Sequence, residues 1–146
     1  MNTLHFPDDD DPVHIDASFV VLNDHMILTN PDRPPVENEV KVFKENDWKL
    51  FEAPHYSTSK EFPAACDDSP WLSMNLLSIG PNKVIVEETE KPLITFLEQE
   101  HGFDVCTLSF RSVYEFGGSL HCATWDVRRR GNCKDYFSNR GNNQDN

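Results

Sequence analysis

The chain has 146 residues, of which 38% are hydrophobic and 26% charged, a balance typical of one globular domain with its own core. Its formal net charge of −12 argues against nucleic acid or an anionic membrane surface as a partner, and suits a cationic small molecule better. No apolar run reaches the length of a membrane span, and the first residues resemble neither a signal peptide nor a transit peptide.

The cysteines are not spaced as a metal site or a redox pair. They are Cys66, Cys106, Cys122 and Cys133, and no two of them form a CxxC motif. Without a secretion signal, we expect reduced thiols in a cytosol-like compartment. A metal site built from His14, Asp16, His121 and Cys122 has no support in the spacing.

The first predicted strand follows an acidic leader, residues 1–12, which we expect to be a solvated linker. Residues 13–22 are rich in β-branched side chains and predict this strand. His14 and Asp16 would share one face of it, because side chains alternate along a strand. That face could be a pocket wall or a solvent face. Three further elements follow: a strand at 26–29, a helix at 36–46 that stops at Asn46, and a strand at 48–51.

The same order of elements then repeats after an irregular stretch at 53–70, a length of loop that is often functional. The second unit comprises strands at 71–79 and 84–86, a helix from Pro92 to Gly102, and a strand at 105–108. The two units are displaced by about 57 residues, which indicates a repeated α/β architecture.

The repeat looks incomplete. Residues 120–124 predict the first strand of a third unit, and the polar residues 132–146 are expected to be a disordered tail. Because such repeats normally need about three copies, the chain either pairs with another chain or belongs to something larger.

The candidate chemistry lies at 117–131, Gly-Gly-Ser-Leu-His-Cys-Ala-Thr-Trp-Asp-Val-Arg-Arg-Arg-Gly. Cys122 stands beside His121, after a Gly-Gly turn and ahead of three arginines. The thiolate is the nucleophilic form of cysteine, and nearby cations favour it. A small buried hydrophobe is the alternative interpretation of Cys122, and local chemistry leaves both open. For the arginines themselves, a solvated surface is favoured.

Four segments together carry a resemblance: Val-His-Ile-Asp-Ala at 13–17, Asn-Pro-Asp-Arg-Pro at 30–34, Trp-Leu-Ser-Met-Asn at 71–75, and the stretch at 117–131. They resemble, in the same order and at similar spacings, the C-terminal part of the glycine amidinotransferase family. The likeness covers roughly residues 12–131, so residues 13–131 are expected to be the amidinotransferase modules. It implies an incomplete α/β propeller of the pentein type, with two ββαβ modules and the first strand of a third.

The resemblance also implies a reaction and its residues. An amidino group moves from L-arginine to an amine, glycine by default, which gives ornithine and the creatine precursor guanidinoacetate, without metal or organic cofactor. By this likeness Cys122 is the nucleophile, His14 the general acid and base, and Asp16 the carboxylate that holds the guanidinium. Arg33 pairs with the α-carboxylate of arginine. Ser69 falls near a substrate-contacting position, although Pro70 departs from the family pattern there.

Several alternatives stay open at the level of sequence. The family enzymes are much longer, so the chain could be inactive without an N-terminal half or a homodimeric partner. It could instead be a non-catalytic remnant that binds guanidino compounds, or a hydrolase such as an arginine deiminase. The likeness allows a mitochondrial location if a transit peptide lies upstream, whereas this chain alone indicates the cytoplasm.

Overall fold

The computed structural model describes residues 15–57, 69–131 and 135–137. Its elements form two units of the same order, each a 3-10 turn followed by strand, strand, helix and strand. The first unit contains the turn Ile15–Ala17, β1 (Phe19–Val21), β2 (Met26–Thr29), α1 (Lys41–Lys44) and β3 (Lys49–Glu52). The second contains the turn Pro70–Met74, β4 (Leu77–Gly80), β5 (Lys83–Glu87), α2 (Lys91–Thr95) with its π-helical continuation Phe96–Glu100, and β6 (Asp104–Leu108). A last 3-10 segment, Arg111–Phe116, leads into residues 117–131.

Both units pair their strands in the same way. In the first sheet β1 is antiparallel to β2 and β2 is parallel to β3, with Ile27 opposite Leu50. In the second sheet β4 is antiparallel to β5 and β5 is parallel to β6, with Ile85 opposite Cys106. The helix of each unit connects its two parallel strands, because a parallel pair needs a long crossover. The predicted ββαβ repeat is therefore confirmed within the described residues.

One apolar core is shared by the two sheets. Its fully buried side chains come from both units, namely Leu22, Leu28, Met74, Leu76, Val84, Val86 and Leu97. A hydrogen bond also joins the two units, since Ser78 Oγ in β4 donates to the carbonyl of Leu22, the residue after β1, at 2.7 Å. The units therefore fold against each other as one body.

A second, aromatic cluster covers the other face of the first sheet. Phe19, Ile27 and Trp48 form it, and alternation explains why Ile27 faces this cluster while its neighbour Leu28 faces the shared core. Phe137 stacks on Trp48 with ring centroids 5.7 Å apart. Of the predicted polar tail, residues 135–137 are the described part, and they pack on this cluster.

Two predicted strands begin later than expected. Ile15–Ala17 and Pro70–Met74 are 3-10 turns, so the strands start only at Phe19 and Leu77. Local hydrogen bonds compete successfully with the extended conformation here. Ser69 Oγ, for example, accepts the N–H of Trp71 at 3.2 Å and caps the second turn, as a serine before a proline at N1 is suited to do.

The predicted start of a third unit is a turn as well. Residues 120–123 form a turn in which the N–H of Ala123 donates to the carbonyl of Ser119 at 3.0 Å. The prediction of a strand at 120–124 was wrong, because apolar content alone does not distinguish a strand from a turn. The helix stop in the first unit also differs: Asp47, with φ 63°, takes the left-handed conformation, whereas Gly102 in the second unit takes it as predicted, with φ 69°.

Across the described residues, no helix has the length and apolar character needed to cross a bilayer. The acidic leader and His14 lie outside the described residues.

Candidate active site

Three turns that are far apart in the sequence meet at one place, and each carries or is followed by a polar side chain. The turn Ile15–Ala17 carries Asp16, the turn Pro70–Met74 is followed directly by Asn75, and the turn at 120–123 carries Cys122. The positions of these turns in the sequence correspond to the repeat. The first two turns precede the first strand of a unit, and the third replaces the strand predicted to begin a third unit. The repeat thus brings together residues that are distant in sequence.

Asn75 lies at the centre of this arrangement and is only 2% exposed. Its Oδ1 accepts the backbone N–H groups of Ser119 and Cys122, both at 3.0 Å. Its Nδ2 donates to Asp16 Oδ2 at 2.7 Å and to Cys122 Sγ at 3.2 Å. Its backbone carbonyl accepts the N–H of His121 at 3.1 Å. One buried residue therefore fixes the turn that carries the thiol.

Cys122 is a free, exposed cysteine, and its Sγ lies 3.7 Å from Asp16 Oδ2 across 106 positions of sequence. His121 Nδ1 lies 2.8 Å from the same carboxylate oxygen, and the His121 side chain is 58% exposed against 16% for Asp16. The structure thus brings Asp16 and Cys122 together, and it adds His121, to which the sequence assigned no role in the reaction.

The Gly-Gly pair before the turn has two separate physical reasons. Gly117 has φ 74° and ends the last 3-10 segment in the left-handed conformation, which a Cβ disfavours. Gly118 lies against the cysteine, and a Cβ at this position would be 2.8 Å from Cys122 Cβ and 3.3 Å from Sγ. The first glycine is thus required by backbone conformation, and the second by close packing on the nucleophile candidate.

A buried ion pair anchors the segment that leads into this turn. Glu90 is 1% exposed; its Oε1 lies 3.1 Å from Arg111 Nη1, and its Oε2 accepts the N–H of Ser57 at 2.8 Å. Burial raises the pKa of Glu90, against the opposing effects of the Ser57 N–H and of Arg111. The guanidinium of Arg111 also lies over the ring of Tyr114, 4.5 Å from its centroid, and burial raises the pKa of Tyr114.

Arg33 and Ser69 lie in loops that are tied to the same turns. Asn30 Nδ2 donates to the carbonyl of Ala17 at 2.9 Å, and the carbonyl of Asn30 accepts the N–H of Arg33 at 3.2 Å. The Asp32 carboxylate next to Arg33 accepts the indole N–H of Trp71 at 2.8 Å. Ser69 caps the turn that contains Trp71. These bonds position both loops relative to Asp16, whereas the hydroxyl of Ser69 itself contacts its own turn.

One of the three arginines after the cysteine has a structural contact that the surface interpretation did not foresee. Arg129 Nη2 donates to the carbonyl of Ser78 at 2.7 Å, and its Nε donates to Asp126 Oδ2 at 2.7 Å. All three arginines are exposed, as expected of a solvated surface. Arg129 therefore fastens the segment after the turn to the end of β4.

Sequence reasoning missed Asn75 as a functional residue. The signal in the sequence was an amide side chain between two apolar residues, Met74 and Leu76, where a buried residue is expected. A buried polar side chain needs hydrogen-bond partners, so an amide in an apolar run indicates a specific network. Within the described ranges, no group of three or more His, Cys, Asp or Glu side chains is arranged to hold a metal ion.

Known proteins with similar sequences and structures are amidinotransferases. The chain is 34% identical over 130 residues to the mitochondrial glycine amidinotransferase of Xenopus tropicalis, a match that covers 89% of this chain and 30% of that protein. It is 36% identical over 126 residues to the L-arginine:L-lysine amidinotransferase of Pseudomonas savastanoi pv. phaseolicola, covering 86% of this chain and 33% of that protein. No family model matches the chain.

Solved structures give the same result. An amidinotransferase of saxitoxin biosynthesis from Microseira wollei superposes with a TM-score of 0.74 at 36% identity, covering 86% of this chain and 36% of that one. Inosamine-phosphate amidinotransferase from Streptomyces griseus superposes with a TM-score of 0.71 at 30% identity, covering 88% and 36%. The chain spans about a third of the length of these relatives, consistent with the C-terminal portion that its motifs predicted. By sequence and by structure, the chain belongs to the amidinotransferase family.

Proposed function

We propose that the chain carries the nucleophile of an enzyme that transfers the amidino group of L-arginine to an amine, and that it forms part of a pentein-type α/β propeller. The two ββαβ units and the likeness to solved amidinotransferases support the fold. The observation that carries the chemistry is the 3.7 Å separation between Cys122 Sγ and Asp16 Oδ2. A carboxylate beside a thiol suits a cationic, planar group held next to the nucleophile.

The proposed reaction has two steps that balance without a redox partner. The Cys122 thiolate attacks the central guanidinium carbon of arginine, and the S–C bond forms. The C–N bond to ornithine then breaks, and the departing nitrogen takes a proton, which leaves an amidino-cysteine. In the second step the acceptor amine attacks the same carbon and loses a proton, and the S–C bond breaks. His14 is the proposed proton donor and acceptor; it lies outside the described residues.

The contacts of Asp16 refine how it would hold the guanidinium. Its Oδ2 already accepts Asn75 Nδ2 and lies 2.8 Å from His121 Nδ1. Within the described part of the chain, the other oxygen, Oδ1, carries no such contact. A guanidinium therefore binds to Oδ1 in this conformation, and paired hydrogen bonds to both carboxylate oxygens require the exposed His121 ring to move away.

Arg33 and Ser69 are the proposed contacts to the amino-acid end of the substrate. Arg33 is suited to a carboxylate because its planar guanidinium donates two parallel hydrogen bonds. Support comes from Asn30, which links the Arg33 loop to the turn of Asp16. We propose glycine as the first acceptor to test and L-lysine as the second, since relatives named for each are 34% and 36% identical.

We further propose that turnover needs polypeptide equivalent to the rest of a full-length relative, in the same product or as a second chain. The vertebrate relatives are named as mitochondrial, so a mitochondrial location of the complete enzyme is part of this proposal. Cell fractionation would test it.

The test is mass spectrometry of the protein after incubation with L-arginine, alone and together with the remaining part of the Xenopus tropicalis enzyme. We expect an amidino adduct on the peptide containing Cys122, ornithine release, and acceptor-dependent guanidinoacetate with glycine. Cys122→Ala should abolish all three. Cys106→Ala is the matched control, because Cys106 is also a free, exposed cysteine and lies on β6.

The outcomes separate the alternatives. Citrulline and ammonia without an acceptor would indicate a hydrolase. Arginine binding without an adduct in either mixture would indicate a non-catalytic relative, and an adduct that survives Cys122→Ala would refute the assignment of the nucleophile.

A further inference from the structure

Asn75 holds the nucleophile candidate in a way that no signature around the cysteine reveals, since the two residues are 47 positions apart. We propose that Asn75 is a positioning residue that fixes the Cys122 turn through Oδ1 and stabilises the thiolate through Nδ2. The inference rests on the proposed function in that Cys122 is taken as the nucleophile of amidino transfer. The reactivity of the thiol, however, can be measured without any amidino transfer.

The orientation of the Asn75 amide follows from its partners. The backbone N–H groups of Ser119 and Cys122 can only donate, so the atom that faces both, at 3.0 Å each, is the oxygen. The nitrogen must then face Asp16 Oδ2 and Cys122 Sγ. A carboxylate oxygen accepts, which agrees with this orientation. All four hydrogen bonds therefore require an amide here, and neither a carboxylate nor an apolar side chain replaces it.

The donor matters because the thiolate lies beside another anion. Asp16 Oδ2 is 3.7 Å from Sγ, and two like charges at such a distance disfavour ionisation of the second. A hydrogen bond donated to the charged form has the opposite effect. Asn75 Nδ2 donates to both acceptors and so offsets part of their repulsion before a cationic substrate arrives.

The acceptor side of the amide determines where the sulfur lies. The N–H groups of Ser119, just before the turn, and of Cys122, within it, converge on one buried oxygen. Gly118 allows the turn to close tightly against the cysteine. Within the described residues, the titratable groups that contact this turn at Sγ or next to it are Asp16 and His121. The reactivity of the thiol therefore depends on these groups and on the amide.

The experiment is alkylation of the intact protein by iodoacetamide across a range of pH, with the peptides containing Cys122 and Cys106 quantified separately by mass spectrometry. Asn75→Asp keeps the acceptor and the size, replaces the Nδ2 donor by an oxygen, and adds an acidic group next to Sγ; the lost donor and the added charge both disfavour the thiolate. We expect the half-maximal pH for Cys122 to rise by about one unit, which makes alkylation near neutral pH about tenfold slower. The rate at Cys106 should not change, which reports that the fold is intact.

Asn46→Asp is the matched control. Asn46 is also buried, and its Nδ2 donates to the carbonyl of Val42 at 2.8 Å in the first unit. This variant should leave the Cys122 profile as in the wild type. An unchanged Cys122 profile in a folded Asn75→Asp variant overturns the proposal.

A second measurement on the wild type covers the case in which Asn75→Asp does not fold. The Asn75 side-chain amide signals in a nitrogen–proton NMR spectrum should titrate with the same midpoint as Cys122 alkylation, and Cys122→Ser should remove that midpoint. Amide signals that do not respond to the thiol overturn the proposal. Neither measurement uses arginine, so a failure of amidino transfer and a failure of this inference are distinguishable.

Discussion

Replacement of Gly118 by alanine tests the geometry of the turn that carries Cys122 most directly. The new Cβ would lie 2.8 Å from Cys122 Cβ, whereas non-bonded carbons are normally separated by about 3.5–4.0 Å. The cysteine must therefore move by roughly 0.7–1.2 Å, or the turn must open. Overpacking of this kind costs about 1–3 kcal/mol in the free energy of unfolding, and a displacement of ~1 Å at a reacting atom lowers a rate by about a hundredfold.

Gly131→Ala is the control, because a Cβ at Gly131 meets nothing within 4 Å. Neither Gly118 nor Gly131 has a positive φ, so both substitutions share the modest stabilisation of about 0.4–1 kcal/mol that comes from a less flexible unfolded chain. That contribution cancels in the comparison, and Gly118→Ala should be about 1–3 kcal/mol less stable than Gly131→Ala in denaturant titrations. Equal stability of the two variants, with equal rates of adduct formation, would refute the close packing described here.

The remaining predictions concern the interactions that hold the site in place. Because the pKa of Glu90 is raised above its ordinary 4.5 in the folded protein, its contribution to stability is present below that value and is lost as pH rises through the folded pKa. The wild type should therefore lose stability relative to Glu90→Gln as the pH rises above 4.5 in denaturant titrations; a difference that is constant or of opposite slope would contradict this. Trp71→Phe should cost about 2 kcal/mol, since the indole N–H of this buried residue donates to Asp32. A double-mutant cycle with Asp32→Ala should show coupling between the two residues, and strictly additive effects would argue against the bond.

The sequence was most informative where a single residue determines the backbone. Gly102 ends its helix in the left-handed conformation as predicted, and the strands predicted at 26–29 and 84–86 are found as β2 and β5. The 3-10 turns were missed because they are made of residues with strand-like composition, and hydrogen bonds over three residues decide their conformation. Ser69 and Pro70 before Trp71 contain a capping signal, which an analysis of apolar periodicity does not detect.

The site was predictable only in part from the residues themselves. Cys122 was a candidate from its local sequence, and the family likeness gave Asp16 its role. Their proximity depends on the packing of the two units, which spacing alone does not give. Asn75 and His121 contact Asp16, which is distant in sequence. The sequence alone therefore does not show that these residues belong to the site. Conversely, the assignment of the family needed no coordinates, because four short motifs in a fixed order are specific enough.

Because three separate turns meet at the site, its integrity depends on the local stability of each of them. Asp16, Asn75 and Cys122 belong to three different stretches of the chain, and each is held by a hydrogen bond to the next. A transient local opening of any one stretch therefore disconnects the thiol from its partners, even while the rest of the molecule stays native. The fraction of molecules competent for chemistry is then limited by the least protected of the three, and amide exchange at these turns reports that fraction.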